Sequence, residues 1–299
     1  MAAVVTDLSE ANGWIPEPKG SEVLTKVYET SAVEAVARRV KMSSRTESVP
    51  RFESNGADIV LEHANIPLQD ATLDEVVLNA VKFANRFAIS IEDERDSVVD
   101  AINAKKAAWA NSYSRKLDNA CLGVTVVKDN TAVAPFTSVY FAANAAGNKV
   151  VTAGDLNYED LVTMFDDIET GDYNGNLVVI AHPAFKSALR NLKDAAGLRV
   201  NDVGSLLAAG TPSIFGHELV FSNGARTSAA ATDAPAGNPL LIVGNRDNLI
   251  LGIRDGVESQ VSNEARWETD EVELKMRARR GFVPATGSAF YVIEKTVGI

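Results

Sequence analysis

Residues Met42–Ser90 read MSSRTESVPRFESNGADIVLEHANIPLQDATLDEVVLNAVKFANRFAIS. Ser48–Glu53 and Ala57–Glu62 alternate apolar and polar side chains as short strands do, and Asn55-Gly56 offers a turn between them. From Leu73 to Ile91 a return run is rich in strand formers, with Val76, Val77, Leu78, Val81, Phe83, Phe87 and Ile89. As one hairpin with legs of about 15 residues, at ~3.3 Å per residue, it reaches roughly 50 Å. A compact chain of 299 residues has a radius of gyration of about 19 Å, so the ribbon is about as long as the body that carries it. A lone two-stranded ribbon is marginal in water. The pattern therefore requires a surface supplied by another subunit.

The rest of the chain is ordinary globular material, 46% hydrophobic and 23% charged. That is enough for one large domain or two modest ones. A single cysteine, Cys121, excludes an internal disulfide framework and fits a reducing compartment. The first twenty residues lack the basic and apolar regions of a secretory signal, and no apolar run reaches the ~18 residues of a membrane-spanning helix, so no membrane partner is expected. The net charge of −11 argues against tight non-specific nucleic-acid binding by the whole molecule.

Gly13, Pro16, Pro18 and Gly20 make residues 1–20 an extended arm. Apolar spacing predicts a short helix near Ser31–Ala37. The strongest helical pattern is 92–122: Val98, Ile102, Trp109, Tyr113, Leu117 and Ala120 form one stripe, Ser90 and three acids precede it, and Gly123 ends it. About 30 residues at ~1.5 Å each give a spine of roughly 45 Å. Strands and loops are expected over 124–154 and a helix over Asp155–Glu169. Leu177–His182 is an apolar strand, and Pro183 is placed at the first position of a helix closed by Gly197. Further strands are expected at His217–Ser222, Pro239–Gly244, Leu249–Arg254, Glu271–Arg280 and Ala289–Glu294, with a loop at Ser228–Gly237. The class is α+β, with a compact centre over roughly 123–255.

No phosphate loop, dinucleotide fingerprint, HExxH, CxxC or GxSxG is present. His63, His182 and His217 are far apart in sequence, and the His217-Glu218 pair points to opposite faces of a strand. A Cys121/His182 nucleophile pair competes with the plainer reading of Cys121 as a small buried thiol. Asp166-Asp167 and Glu92-Asp93-Glu94 read as solvated or helix-start charges. No catalytic, cofactor-binding or metal-binding residue is assigned, and no enzymatic role is expected. The one basic cluster, Lys275 to Arg280, sends Lys275, Arg277 and Arg279 to one strand face. With no aromatic interleaving, ion pairing with an acidic neighbour is favoured over nucleic-acid contact. Arg45, Glu47, Arg51 and Glu53 on the ribbon admit the same role, so these seven residues are the candidate inter-subunit contacts.

The order of these pieces resembles the major capsid protein of tailed bacteriophages, with the Hong Kong 97-type fold, over nearly the whole chain. The resemblance rests on ARRVKMSSRTESVPRF leading into the extended loop, FAISIEDERDSVVDAI opening a spine that ends RKLDNACLG, then LVVIAHPAFKSALRNLKDAAG, SIFGHELVFS, LLIVGNRDNLILGIRDG and VELKMRARRGFVPATGSAFYVIE. It implies an N-terminal arm (1–30), an extended loop and its base (31–90) lying over a neighbouring subunit, and a spine with peripheral-domain strands (91–150). A mainly axial domain (151–255) and peripheral return strands (256–299) would follow. Pentamers and hexamers would build an icosahedral virion shell around double-stranded DNA held without sequence-specific contact, assembled in the host cytoplasm. A separate scaffolding protein, a portal and decoration proteins are the further partners implied. Some relatives crosslink through a lysine of the extended loop, but no lysine falls between Lys41 and Lys82 here, so no such crosslink is expected. A bacterial nanocompartment shell, the encapsulin, is the alternative within the same fold. A soluble α+β hydrolase using His182 or His217 is the alternative from another class, and it leaves the ribbon unexplained.

Overall fold

The computed structural model describes residues 30–52, 57–66, 73–92, 101–152, 156–173, 175–193 and 212–296. The N-terminal arm, Glu53, the Asn55-Gly56 turn, Val98 and Gly197 lie outside them.

Helix α1 (Ala32–Val36) starts where the Ser31 hydroxyl accepts the Glu34 N–H, 3.1 Å away. It leads into β1 (Arg38–Lys41), then β2 (Thr46–Phe52), β3 (Leu73–Asn79) and β4 (Val81–Ser90). The spine, α2 (Ala101–Leu122), is followed by α3 (Val139–Ala146), β5 (Lys149–Thr152), α4 (Tyr158–Thr170), β6 (Leu177–Ala181), α5 (Phe185–Arg190), β7 (Ser213–Ile214) and β8 (His217–Phe221). Then come β9 (Leu240–Asn245), β10 (Leu249–Arg266), β11 (Glu271–Pro284) and β12 (Phe290–Lys295).

Three sheets result. A four-stranded sheet runs β1-β10-β11-β4, a six-stranded sheet runs β5-β12-β9-β6-β8-β7, and β2 and β3 form a ribbon of their own. Strand alternation divides the six-stranded sheet between two cores. Val178, Ile180, Leu240, Ile242, Phe290 and Val292 face one core, where Tyr113, Leu117 and Cys121 of the spine and Val139 of α3 also pack. Leu177, Val179, Leu241, Val243, Tyr291 and Ile293 face the other, covered by Leu161, Met164, Phe165 and Ile168 of α4 and Phe185 of α5. β6 is buried along its whole length because both of its faces are covered.

The ribbon differs from its expected form. Among the described residues its paired legs are seven residues each, running from Thr46 opposite Asn79 to Phe52 opposite Leu73. That is about 23 Å of described pairing, against the roughly 50 Å expected of the whole ribbon. Residues 57–62 are not a strand, because no second strand pairs with them among the described residues; a turn follows, with Ala64 N–H donating to Leu61 O. The return run is two strands. It breaks at Ala80, whose N–H bonds Arg45 O, and β4 crosses into the four-stranded sheet beside β11.

Other elements also depart from the sequence reading. Pro183 sits in a turn two residues before α5 rather than inside it. The spine is described from Ala101, Ile91 and Glu92 are helical as well, and residues 93–100 of the expected helix lie outside the described residues. Helix α3 occupies a stretch expected to hold strands and loops; Ser138 caps it by accepting the Phe141 N–H, and Gly147 closes it at φ 85°. β10 continues twelve residues past Arg254, as one leg of a long hairpin with β11. β12 lies between β5 and β9, so the 256–299 stretch contributes to both large sheets.

Packing at Gly244 is close enough to test. A Cβ there would lie 2.1 Å from Phe290 Cδ1, whereas one at Gly256 would meet nothing within 4 Å. Gly244→Ala is expected to cost about 1–3 kcal/mol in urea unfolding, with Gly256→Ala within ~0.5 kcal/mol of the parent.

Candidate assembly surfaces

The ribbon emerges from a base held by one buried carboxylate. Asp118 lies on the core side of the spine, fully enclosed, and accepts four hydrogen bonds: from Ser31 Oγ at 2.5 Å, Ala32 N at 2.9 Å, Val33 N at 3.2 Å and Ser222 Oγ at 2.6 Å. Three of these come from the start of α1, where free N–H groups attract an anion. The next residue, Asn119, grips the segment that follows β8. Its amide donates to Gly224 O and Arg226 O, and its oxygen accepts from Ser228 Oγ and Thr232 N. Burial nonetheless outweighs these bonds and raises the Asp118 carboxyl from 3.8 to about 6.

A second tie joins α1 to the spine and β11. Glu34 accepts from Tyr113 Oη and from Arg280 Nε, both at 2.9 Å, while the guanidinium lies 5.9 Å from the Tyr113 ring centre. Arg280 also donates to Asp255 O at 2.6 Å. Burial and the Glu34 carboxylate push the Tyr113 hydroxyl well above its ordinary range.

On the outward side of the four-stranded sheet, Gly252 and Gly281 lie opposite each other. Met42 crosses over them, and its Sδ would lie 2.5 Å from a Cβ on Gly252. Met42, Leu78 and Ile250 form a small core under the ribbon root. Arg51 fastens the ribbon to the body by donating to Ala285 O at 2.7 Å and Thr286 Oγ1 at 3.3 Å while pairing with Asp74. Glu47 accepts from Ser43 N and Oγ within the base. Beyond the paired strands, Ile59, Leu61 and Ile66 are 100%, 80% and 79% exposed. Trp267, at the turn between β10 and β11, is 84% exposed.

The basic cluster lies on the same outward face. Arg277 pairs with Glu258 at 2.7 Å and Arg279 with Asp255 at 3.3 Å, both across the β10–β11 hairpin of this chain. Lys275 is exposed, with no ion pair among the described residues. Arg45, Lys82, Arg254 and Arg279 share a cavity of about 330 Å³. Of the seven candidate contacts, Arg45 and Arg279 thus come together; Arg51 and Glu47 serve the ribbon base; Glu53 lies outside the described residues. The sequence reading missed Lys82, Arg86 and Arg254 because their proximity to β11 depends on strand register rather than on spacing.

The residues weighed for catalysis occupy structural places. Cys121 is buried in the larger core, and desolvation raises its thiol. The His182 Nδ1 accepts from Ala184 N at 3.0 Å. His217 stacks on Phe165 at 5.4 Å, and His63 lies exposed in the 57–66 segment. Asp166 and Asp167 are exposed on α4. Among the described residues no helix is long and apolar enough to cross a membrane, and no three His, Cys, Asp or Glu side chains gather as a metal site.

The profile of the Phage capsid family matches residues 12–295. Comparison with curated proteins finds no match. Among solved structures, a chain of Microbacterium phage Oxtober96 is 21% identical with a TM-score of 0.77, covering 97% of this chain and 99% of its own. A chain of Mycobacterium phage Bobi is 20% identical at TM-score 0.76, with coverage of 98% and 99%. A chain described as the capsid of a native GTA particle is 17% identical at TM-score 0.70, with coverage of 99% and 100%. At these identities the likeness establishes the fold.

The raised Asp118 carboxyl fixes a sign. A group that holds its proton more tightly when folded stabilises the fold below about 3.8, and that stabilisation is lost as pH rises through about 6. Relative to Asp118→Asn, which cannot titrate, the parent chain should lose about 2 kcal/mol between pH 4 and 7, most of the full linkage at ~1.4 kcal/mol per tenfold change in proton affinity. Urea unfolding at both pH values measures it; a difference independent of pH contradicts the burial argument.

Proposed function

The chain belongs to the phage capsid family, and on that premise we propose that it assembles as pentamers and hexamers into an icosahedral shell enclosing double-stranded DNA. It is then a structural virion protein with no catalytic step, assembled in the host cytoplasm. The observation that carries this reading is the ribbon with its 57–66 segment: Ile59, Leu61 and Ile66 stand in solvent, and nothing among the described residues covers them. Exposed apolar side chains on a protruding arm are covered by association. In a closed symmetric shell each arm meets an equivalent surface on a neighbour, so many modest interfaces sum to a stable lattice. The partners this requires are further copies of the chain; a separate scaffold, a portal and decoration proteins are consistent with it. The packaged DNA is held without sequence-specific contact, as the chain's net charge of −11 would allow.

Replacing residues 57–66 with a Gly-Ser linker of equal length should leave the circular dichroism and unfolding of the body unchanged while abolishing closed particles in electron micrographs. Closed particles from that variant would overturn the proposal. Because no lysine lies between Lys41 and Lys82, mature particles should dissolve on a denaturing gel to a single band near 31.9 kDa rather than to covalent ladders.

A further inference from the structure

At the root of the ribbon, four cationic side chains line one cavity. Arg45, in the bend that leads into β2, Lys82 near the start of β4, Arg254 of β10 and Arg279 of β11 surround a space of about 330 Å³. Asn79 and Asn130 add side-chain amides to its wall. Asp255 answers Arg279 at 3.3 Å. Arg45, Lys82 and Arg254 have no side-chain hydrogen bond or ion pair among the described residues. Register tightens the crowding, because Lys82 stands directly opposite Arg279 on the neighbouring strand, a like-charge pair that destabilises a sheet.

This cluster differs from the other arginines of the ribbon base. Arg51 directs its donors to Ala285 O, Thr286 Oγ1 and Asp74, and Arg280 directs its own to Glu34 and Asp255 O. Their charges are answered by the chain's own acceptors. The cavity cations are not, although the chain carries a net charge of −11 and has acids in excess. An anion entering the cavity therefore removes repulsion as well as adding attraction.

We propose that the cavity binds a small, multiply charged phosphate, pyrophosphate being the simplest case, and that the bound anion braces the ribbon root against the four-stranded sheet. Guanidinium and ammonium groups supply N–H donors from several sides. The terminal oxygens of a phosphate accept from all of them, whereas a carboxylate offers one plane and one charge. The volume lies at the small end of ligand cavities. A nucleic-acid backbone fits less well: its phosphates recur along a line and call for a row of cations, and beyond the cavity Asp255, Glu258 and Glu273 are interleaved with the cations of this face. The bracing follows from where the residues originate. Arg45 belongs to the ribbon base, and Lys82, Arg254 and Arg279 belong to the sheet. The Ala80 N–H donates to Arg45 O at this same joint, 2.8 Å away. The inference does not depend on the shell reading, because binding is measured on the chain itself.

Calorimetric titration of the purified full chain with pyrophosphate at fixed ionic strength is the test. One anion per chain should bind saturably, and Arg45→Gln/Lys82→Gln should bind it about tenfold more weakly or worse. Lys275→Gln removes an exposed cation of the same sheet face that does not line the cavity, and binding should be unchanged. Circular dichroism checks that the variants fold. In the parent chain, pyrophosphate should also slow hydrogen exchange over residues 79–82 and leave β12 unaffected; this measurement decides the matter if the double variant unfolds. Absence of saturable binding by the parent chain overturns the proposal, as does equal weakening in Lys275→Gln, which reduces the effect to diffuse surface charge. Succinate binding as tightly as pyrophosphate would assign the cavity to a carboxylate, and a short DNA duplex competing with pyrophosphate at equal phosphate concentration would assign it to nucleic acid; either result overturns the proposal.

Discussion

The carboxylate of Asp118 fixes where the arm leaves the body. One side chain at the spine's buried face gathers the first N–H groups of α1, the hydroxyl that caps it and the hydroxyl that ends β8. Because α1 is only five residues long, it has too little internal hydrogen bonding to persist alone; the spine supplies its N-terminal partners. Glu34, one turn on, joins the same helix to Tyr113 and Arg280. β1 follows directly, enters the four-stranded sheet beside β10, and delivers Met42 across the glycine pair to the outward face. The direction of the ribbon is thus set by polar contacts made more than seventy residues away in sequence.

Strand alternation then sorts the surfaces. Leu274, Met276 and Ala278 of β11 turn inward to the spine, and Lys275, Arg277 and Arg279 turn outward. A single strand therefore closes the core and presents charge. The same logic splits the six-stranded sheet between two cores, which lets one spine and one short helix layer stabilise opposite faces of a shared platform. A body stiffened in this way can hold its arm in a fixed direction, as a repeating lattice requires.

Much of this was legible in the sequence because the signals were local. The short helix near Ser31–Ala37 and the spine stripe through Trp109, Tyr113 and Leu117 follow from periodicity, and the LVVIA strand from its unbroken apolar run. α3 was missed, although Ser138 and Gly147 mark its ends, because the apolar run between them also fits a strand. The ribbon was read too long because alternation over 57–62 marks a capacity to pair, while pairing itself needs a second strand. β10 beyond Arg254 is polar on both faces and exposed, so it carries no hydrophobic period; its partner β11 holds it in place. The basic face was half legible: Lys275, Arg277 and Arg279 share a parity, but Lys82, Arg86 and Arg254 join them through cross-strand register, which a sequence alone does not state.

Electron microscopy of the purified full-length chain, paired with light scattering across a concentration series, tests the central claim most directly. The account predicts closed shells or rings of five and six copies. A 31.9 kDa monomer at every concentration, with Ile59 and Leu61 still exposed to solvent and no larger species even with the other proteins of its particle supplied, would contradict it.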